Sequence, residues 1–266
     1  MLELMKEGDF NHGVKVLQNA LGISVDGQYG PGTAAAVVQF QTSRGLSPDG
    51  IAGQAVITAL QLNLTPTMLT EQDYVNAAAE LNVEVATIKA FADTETARSS
   101  FLPDTRPDIL FERHQFYERL GQQISSDDLN SITQSYPDIC NTTWGGYLGG
   151  AAEYNRLQTA INLSNQYTNS AATAYECASY GKFQIMGFYW KNLGYMDVFS
   201  FVRAAMASEQ DHLEMFVRFI RANPSLLEAM RNKDWDTMAR EYNGPGQVDV
   251  YAGRLENNYN NETQSS

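Results

Sequence analysis

The chain lacks long apolar runs. Its hydrophobic stretches last only a few residues, far short of the roughly 20 needed to cross a bilayer as a helix. The opening, Met1 to Glu7, has no basic region followed by an apolar one, so neither a leader peptide nor membrane insertion is expected. Lys/Arg clusters are also missing, and the formal charge of −13 is spread along the chain. Nucleic acid and anionic membrane surfaces are therefore poor partners. Cysteine is scarce: Cys140 and Cys177, 37 residues apart, cannot build a disulfide framework, and one bridge stays open as an option. The three histidines, His12, His114 and His212, are scattered and form no paired ligand motif, so no metal site and no cofactor is expected. Alternating strand patterns are scarce as well, which leaves a mostly α protein as the expected fold class.

With 43% hydrophobic and 11% aromatic residues, the 266-residue chain has material for one or two domains with real cores. The first 60 residues contain a repeat of period 23. Leu17-Gln18, Gly22, Ser24, Asp26, Gly27 and Gly30 recur as Phe40-Gln41, Gly45, Ser47, Asp49, Gly50 and Gly53. Each copy reads as a helix closed by a glycine, an Asp-Gly turn and a new helix, so residues 1–62 form a small three-helix module with internal pseudo-symmetry. Residues 63–70 contain Pro66 and several threonines and end at Thr70, a natural N-cap. They read as a short linker, with loose packing of two domains expected across it. Helical spacing then predicts helices over 71–81, 83–97, 150–166, 170–178, 201–222, 225–232, 234–243 and 248–258 in a larger domain, 71–266.

One position breaks its pattern in an informative way. Leu81, Val85, Ile88, Phe91 and Ala92 mark a helical stripe whose next position is Glu95, while Lys89 and Asp93 fall on the opposite face as an exposed pair. A carboxyl group turned inward is harder to ionise, which suits a general acid near neutral pH; a structural buried acid gives the same pattern. Two other segments place polar groups beside helix ends or glycines. Tyr242-Asn243 precede Gly244-Pro245-Gly246, and Gly181-Lys182-Phe183-Gln184 suits close backbone approach to a ligand.

The stretch from Val14 to Leu60 resembles the helical peptidoglycan-binding domain of cell-wall hydrolases, with its Leu-Gln, Phe-Gln and two Asp-Gly-x-x-Gly elements. One departure is Val56, where the first copy has Thr33. The resemblance implies wall binding, with Asp26, Tyr29 and Asp49 as candidate contacts. In order, Glu95-Thr96, Gly181 to Gln184 and Glu241-Tyr242-Asn243 resemble the signatures of goose-type lysozymes and lytic transglycosylases. More closely, residues 71–259 resemble the N-acetylmuramidase domain of modular phage endolysins, through Phe101 to Asp104, Arg106 to His114, Tyr136 to Asn141 and the glycines that follow. Thr96, Ser99-Ser100 and Lys182 depart from the usual residues.

The resemblance implies a lysozyme-like α fold and hydrolysis of the bond between N-acetylmuramic acid and N-acetylglucosamine. Glu95 is then the general acid. Glu112 is the leading candidate for a second carboxylate, with Asp104 and Glu209 behind it as a turn residue and a buried structural acid. Gln184, Tyr242, Asn243 and Phe183 are the implied substrate contacts, and His114 reads as a backbone tether. A lytic transglycosylase is the nearest alternative. A cysteine amidase or peptidase would need Cys140 or Cys177 with His212, and a metal-dependent peptidase fails on histidine spacing. A non-enzymatic wall-binding protein is the remaining class. A monomer is expected, held in the host cytoplasm until a holin-type pore admits it to the wall.

Overall fold

The computed structural model describes residues 4–95 and 100–264; Thr96 and Ser99 lie outside the described residues. Two hydrophobic cores divide them. One gathers Met5, Val14, Leu17, Tyr29, Val37, Val56 and Ile57; the other runs from Ala77 to Leu255.

The first core is enclosed by α1 (His12–Leu21), α2 (Pro31–Ser43) and α3 (Gln54–Ala59). Asn11 caps α1 by accepting from the Val14 amide, Pro31 opens α2 at a position where its missing N–H costs nothing, and Gly22 ends α1 at φ 68°. The sequence repeat has a physical basis in two buried glutamines. The Gln18 amide donates to Asp26 Oδ1 (2.7 Å) and the Gln28 carbonyl (2.9 Å), and its oxygen accepts from the amides of Asp26 and Gly27. Gln41 repeats this with Asp49 Oδ1 (2.7 Å), the Ile51 carbonyl (2.9 Å) and the Gly50 amide. Each glutamine thus stitches its own Asp-Gly turn to the preceding helix.

The second core is built from α4 (Glu71–Leu81), α5 (Val85–Glu95), α6 (Arg113–Gly121), α7 (Ser126–Ser135), α8 (Ala151–Thr168) and α9 (Ala172–Glu176). It is completed by α10 (Val198–Ala205), α11 (Glu209–Ala222), α12 (Pro224–Asn232), α13 (Trp235–Asn243) and α14 (Val248–Gln264). Thr70 and Asp73 form a capping box that fixes the start of α4. The helix expected over 201–222 is two helices, α10 and α11. Ser208 caps the second by accepting from the Asp211 amide, and the Glu209 amide donates to the Thr67 carbonyl, so the apolar stripe continues across an interruption of the helix at 206–208. Helices α6 and α7 were not expected, and neither was a small antiparallel sheet. Its strands β1 (Ile109–Phe111), β2 (Ala178–Tyr180) and β3 (Ile185–Met186) pair in that order, Phe111 opposite Ala178 and Ser179 opposite Met186.

The segment between the cores is not a slack tether. Thr67 forms a bridge with Ser208, and the Leu69 amide donates to buried Glu209 (2.9 Å), which also accepts from Ser100. Lys15 of α1 reaches across to the Arg203 carbonyl near the end of α10. Lys89 pairs with Glu71 (2.8 Å) and Glu262 (3.0 Å), in place of the expected partner Asp93. Among the described residues, no helix is long and apolar enough to cross a membrane.

Candidate active site

Helix α5 ends at Glu95, on the rim of a cleft of about 510 Å³ whose walls come from the sheet, the loop before α8 and the end of α13. Glu95 is partly buried, and burial pushes its carboxyl up to about 7. A hydrogen bond from the Tyr251 hydroxyl and the charge of Arg254 pull in the opposite direction and leave the net shift upward. Tyr251 lies on α14, which also fastens α5 through Asn258 Nδ2 donating to Thr94 Oγ1 (3.0 Å) and Tyr259 donating to Glu84. The acid is thereby held at a helix end that a second helix supports along its length.

Glu112 lines the same cleft. It follows β1, whose last residue pairs with Ala178, and its own amide donates to the Cys177 carbonyl (2.8 Å). One carboxylate oxygen accepts from the Tyr147 hydroxyl (2.6 Å), and the other lies 3.2 Å from His114 Nδ1. Burial raises its pKa, while Tyr147, His114 and Arg156 oppose the shift. His114 therefore faces a carboxylate, not the backbone group expected of it.

Beneath Glu112 sits Glu153, fully buried on α8. It accepts from the amides of Phe111 (3.0 Å), Leu148 (2.5 Å) and Gly149 (3.0 Å) and from the Arg156 guanidinium (2.7 Å). Those donors hold its pKa below the usual carboxylate range despite burial.

Gln184, Asn243 and Tyr242 also border the cleft, and Phe183 does not. Phe183 is 0% exposed and stacks on Phe216 at 4.5 Å, so its assignment as a sugar contact is corrected to a core residue. Phe183 and Gln184 lie in the turn between β2 and β3, Gln184 at φ +45°, so that Phe183 and then Ile185 are buried in the core while Gln184 and Met186 border the cleft. Gln184 is anchored by Ser179 Oγ donating to its oxygen (2.6 Å) and by its own amide donating to the Gly181 carbonyl (2.8 Å). The Tyr242 hydroxyl donates to the Phe183 carbonyl (2.6 Å) and its ring packs on Phe91 at 4.7 Å, so its donor is spent inside the protein.

The remaining candidates lie elsewhere. Gly181, at φ +69°, makes room for His212, whose ring a Cβ there would overlap; the close approach is internal and involves no ligand. His212 has both ring nitrogens on backbone groups, Lys182 N at 3.2 Å and Ala205 O at 2.6 Å, and burial depresses its pKa to about 4. Cys140 and Cys177 are buried free thiols, each pushed up in pKa by burial. Neither is a poised nucleophile. Asp104 closes a turn with Arg106, and Glu209 is a buried structural acid bridging Leu69, Ser100 and Lys182. In the small module, Tyr29 is 1% exposed with its hydroxyl on the Gly50 carbonyl (2.9 Å). Asp26 and Asp49 hold their own turns. Buried Tyr29 is thereby a core residue and not the ligand contact expected of it, while Asp26 is half-buried and Asp49 exposed on their turns.

Residues 84–263 match the family model described as N-acetylmuramidase. The chain belongs to the N-acetylmuramidase family. Residues 13–60 ahead of this muramidase domain match a putative peptidoglycan binding domain. Among solved structures, the chain is similar to a Burkholderia AP3 phage endolysin, at 39% identity and a TM-score of 0.64, covering 98% of this chain and 100% of that one. Two curated relatives match over shorter spans. One is an uncharacterized protein in the bpoA1 3′ region of Kitasatospora aureofaciens, 47% identical over 57 residues, 19% of this chain and 48% of that protein. The other is a zinc D-Ala-D-Ala carboxypeptidase of Streptomyces albus G, 38% identical over 64 residues, 21% of this chain and 25% of that protein. The chain thus spans half or less of the curated relatives it matches.

Sequence reasoning missed Tyr251, Tyr147 and Glu153. Tyr251 sits on a helical stripe with Leu255 and Tyr259 and looks like core; Tyr147 lies in a glycine-rich loop with no periodicity; Glu153 sits one turn into a helix, where an acid is ordinary.

Proposed function

We propose that the chain is an endolysin whose N-terminal module holds bacterial peptidoglycan while the larger domain hydrolyses the glycosidic bond between N-acetylmuramic acid and N-acetylglucosamine. The observation that carries this reading is a carboxyl group with a pKa of about 7, Glu95, lining one cleft with a second carboxylate, Glu112. Protonated Glu95 gives its proton to the glycosidic oxygen as the bond to the muramic acid C1 breaks through an oxocarbenium-like state. Water adds its oxygen to that carbon, and Glu112, fixed by Tyr147, balances the developing positive charge and takes up the water's proton. Gln184 and Asn243 border the space for the sugar's N-acetyl and hydroxyl groups. The presence of Glu112 favours hydrolysis over intramolecular closure by the muramic acid 6-hydroxyl, which needs only one acid.

The enzyme acts as a monomer in this reading. It is released from the host cytoplasm through a holin-type pore.

Mass spectrometry of fragments released from purified murein tests the chemistry. Reducing muramic acid ends are expected; anhydro ends would replace hydrolysis by transglycosylation. Glu95→Gln should release neither while keeping its helical circular dichroism, and wild-type turnover by that variant would remove Glu95 from the mechanism. Residues 1–62 should sediment with the same murein, and recovery in the supernatant at low salt would deny the module its role.

A further inference from the structure

The loop between Asn141 and Gly150 carries Trp144 at the edge of the cleft, 63% exposed, beside Leu148, 68% exposed. Large apolar side chains left this open usually belong to flexible segments or to binding surfaces. This loop is pinned at several points. The Arg113 guanidinium donates to the carbonyls of Thr143 (2.8 Å) and Trp144 (3.4 Å) and packs under Gly146, where a Cβ would lie 3.0 Å from it. Gly146 has φ +84°, a conformation other residues adopt at a cost. On the far side of Trp144, buried Glu153 accepts the amides of Leu148 and Gly149.

The indole itself is oriented. Tyr147 meets it edge-on at 5.5 Å and 85°, and the Tyr147 hydroxyl is committed to Glu112. A continuous path therefore leads from the second carboxylate through Tyr147 to a broad, exposed aromatic face held in a set position. Pyranose rings present a face of C–H groups, and a preorganised aromatic plane is the surface on which such a face stacks with little ordering cost.

We infer that Trp144 is a saccharide-stacking platform that extends the cleft beyond the reacting sugars and grips the glycan strand at one more ring. Its occupant is an amino-sugar unit of the same polymer, because the platform is continuous with the cleft that holds Glu95 and Glu112. The inference rests on the proposed muramidase reading. Glu153 and Arg113 act on it as positioning residues, setting the loop and touching no sugar.

The test uses full-length protein and peptide-free glycan strands from murein. In the Glu95→Gln background, saturating glycan should shift the Trp144 emission, isolated as the difference from the same protein carrying Trp144→Phe. In the active enzyme, Trp144→Ala should raise KM for these strands about tenfold, equivalent to about 1.4 kcal/mol, with kcat within about threefold. Trp144→Phe should recover most of the loss. Glycan binding by Glu95→Gln with no change in Trp144 emission, or an unaltered KM in Trp144→Ala, overturns the platform and leaves the muramidase reading intact. Failure of the unmodified chain to release reducing ends overturns that reading and the platform with it.

Discussion

A general acid must stay protonated at the pH where it works and still meet the substrate. In the proposed mechanism Glu95 meets both demands, as it terminates α5, with its helix packed in the core and its carboxyl at the cleft. Activity should therefore decline as pH rises through about 7. The Tyr251 hydrogen bond favours the ionised form, so Tyr251→Phe should move that alkaline limb to higher pH, read from a kcat/KM profile on soluble glycan. A limb that stays in place or moves down would mean Tyr251 does not tune the acid. The same shift carries a stability consequence. Between about 4.5 and 7 the folded protein keeps a proton that the unfolded chain has lost, so stability falls as pH rises across that window and is constant above it. Glu95→Gln, free of this penalty, should be more stable than the parent at pH 8 by at most about 3 kcal/mol, with the difference vanishing near pH 4. Urea titrations at the two pH values read it, and equal midpoints at both would show that Glu95 ionises without cost. Glu95 was legible in the sequence because it interrupts an apolar stripe. Phe183 was not separable from Gln184, since a motif places neighbours together whereas the tight turn that carries them, with Gln184 at φ +45°, sends one into the core and the other to the cleft.

The elements show the same mixture of what a sequence reveals and what it hides. The period-23 repeat gave away the small module because a turn that needs Asp-Gly twice must use the same glutamine twice. The difference between the copies is equally physical: Gln18 also donates to Thr33 Oγ1 (3.0 Å), whereas the matching position in the second copy is Val56, buried and without an acceptor. Gln18→Ala should therefore destabilise the module more than Gln41→Ala. Each should cost about 1–3 kcal/mol for the buried polar groups left unpaired. Thermal unfolding of the module followed by circular dichroism ranks them, and equal losses would mean the Thr33 contact adds nothing. The break between α10 and α11 was hidden, because the apolar stripe runs on through it and only the Ser208 cap, Asp211 and the long-range bond from Glu209 to Thr67 define it. The small sheet was hidden too. Its strands are two or three residues long, below the length at which alternation stands out, yet β1 delivers Glu112 and the β2–β3 hairpin delivers Gln184.

At the scale of the whole molecule, the module is docked on the muramidase domain through groups that respond to pH. Lys15 donates to the Arg203 carbonyl near the C-terminus of α10, where carbonyls lack helical partners and a cation is favoured. Beside it, His12 faces the Ala207 carbonyl, with Lys15 and Asp211 as the nearby charges, and its Nδ1 is buried without a hydrogen-bond partner. Burial first, and then Lys15, lower the His12 pKa from 6.5, against the Ala207 carbonyl and Asp211. Lys15 shares α1 with His12 and acts in either state, so it is burial against the large domain that makes the undocked module bind a proton more readily, and docking weakens as pH falls. The measurable consequence lies in the segment 63–70, which joins the two cores and whose far end Thr67 and Leu69 fasten to the large domain. Limited proteolysis there should speed up on moving from pH 7.5 to 5.5, with the helical content of the large domain unchanged, and His12→Gln should flatten the dependence. Lys15→Met should raise the cleavage rate about tenfold at pH 7.5, which corresponds to about 1.4 kcal/mol of lost docking. Cleavage at the same rate in all three proteins and at both pH values would mean that the segment opens independently of these contacts and that the module is free to reorient while bound to the wall.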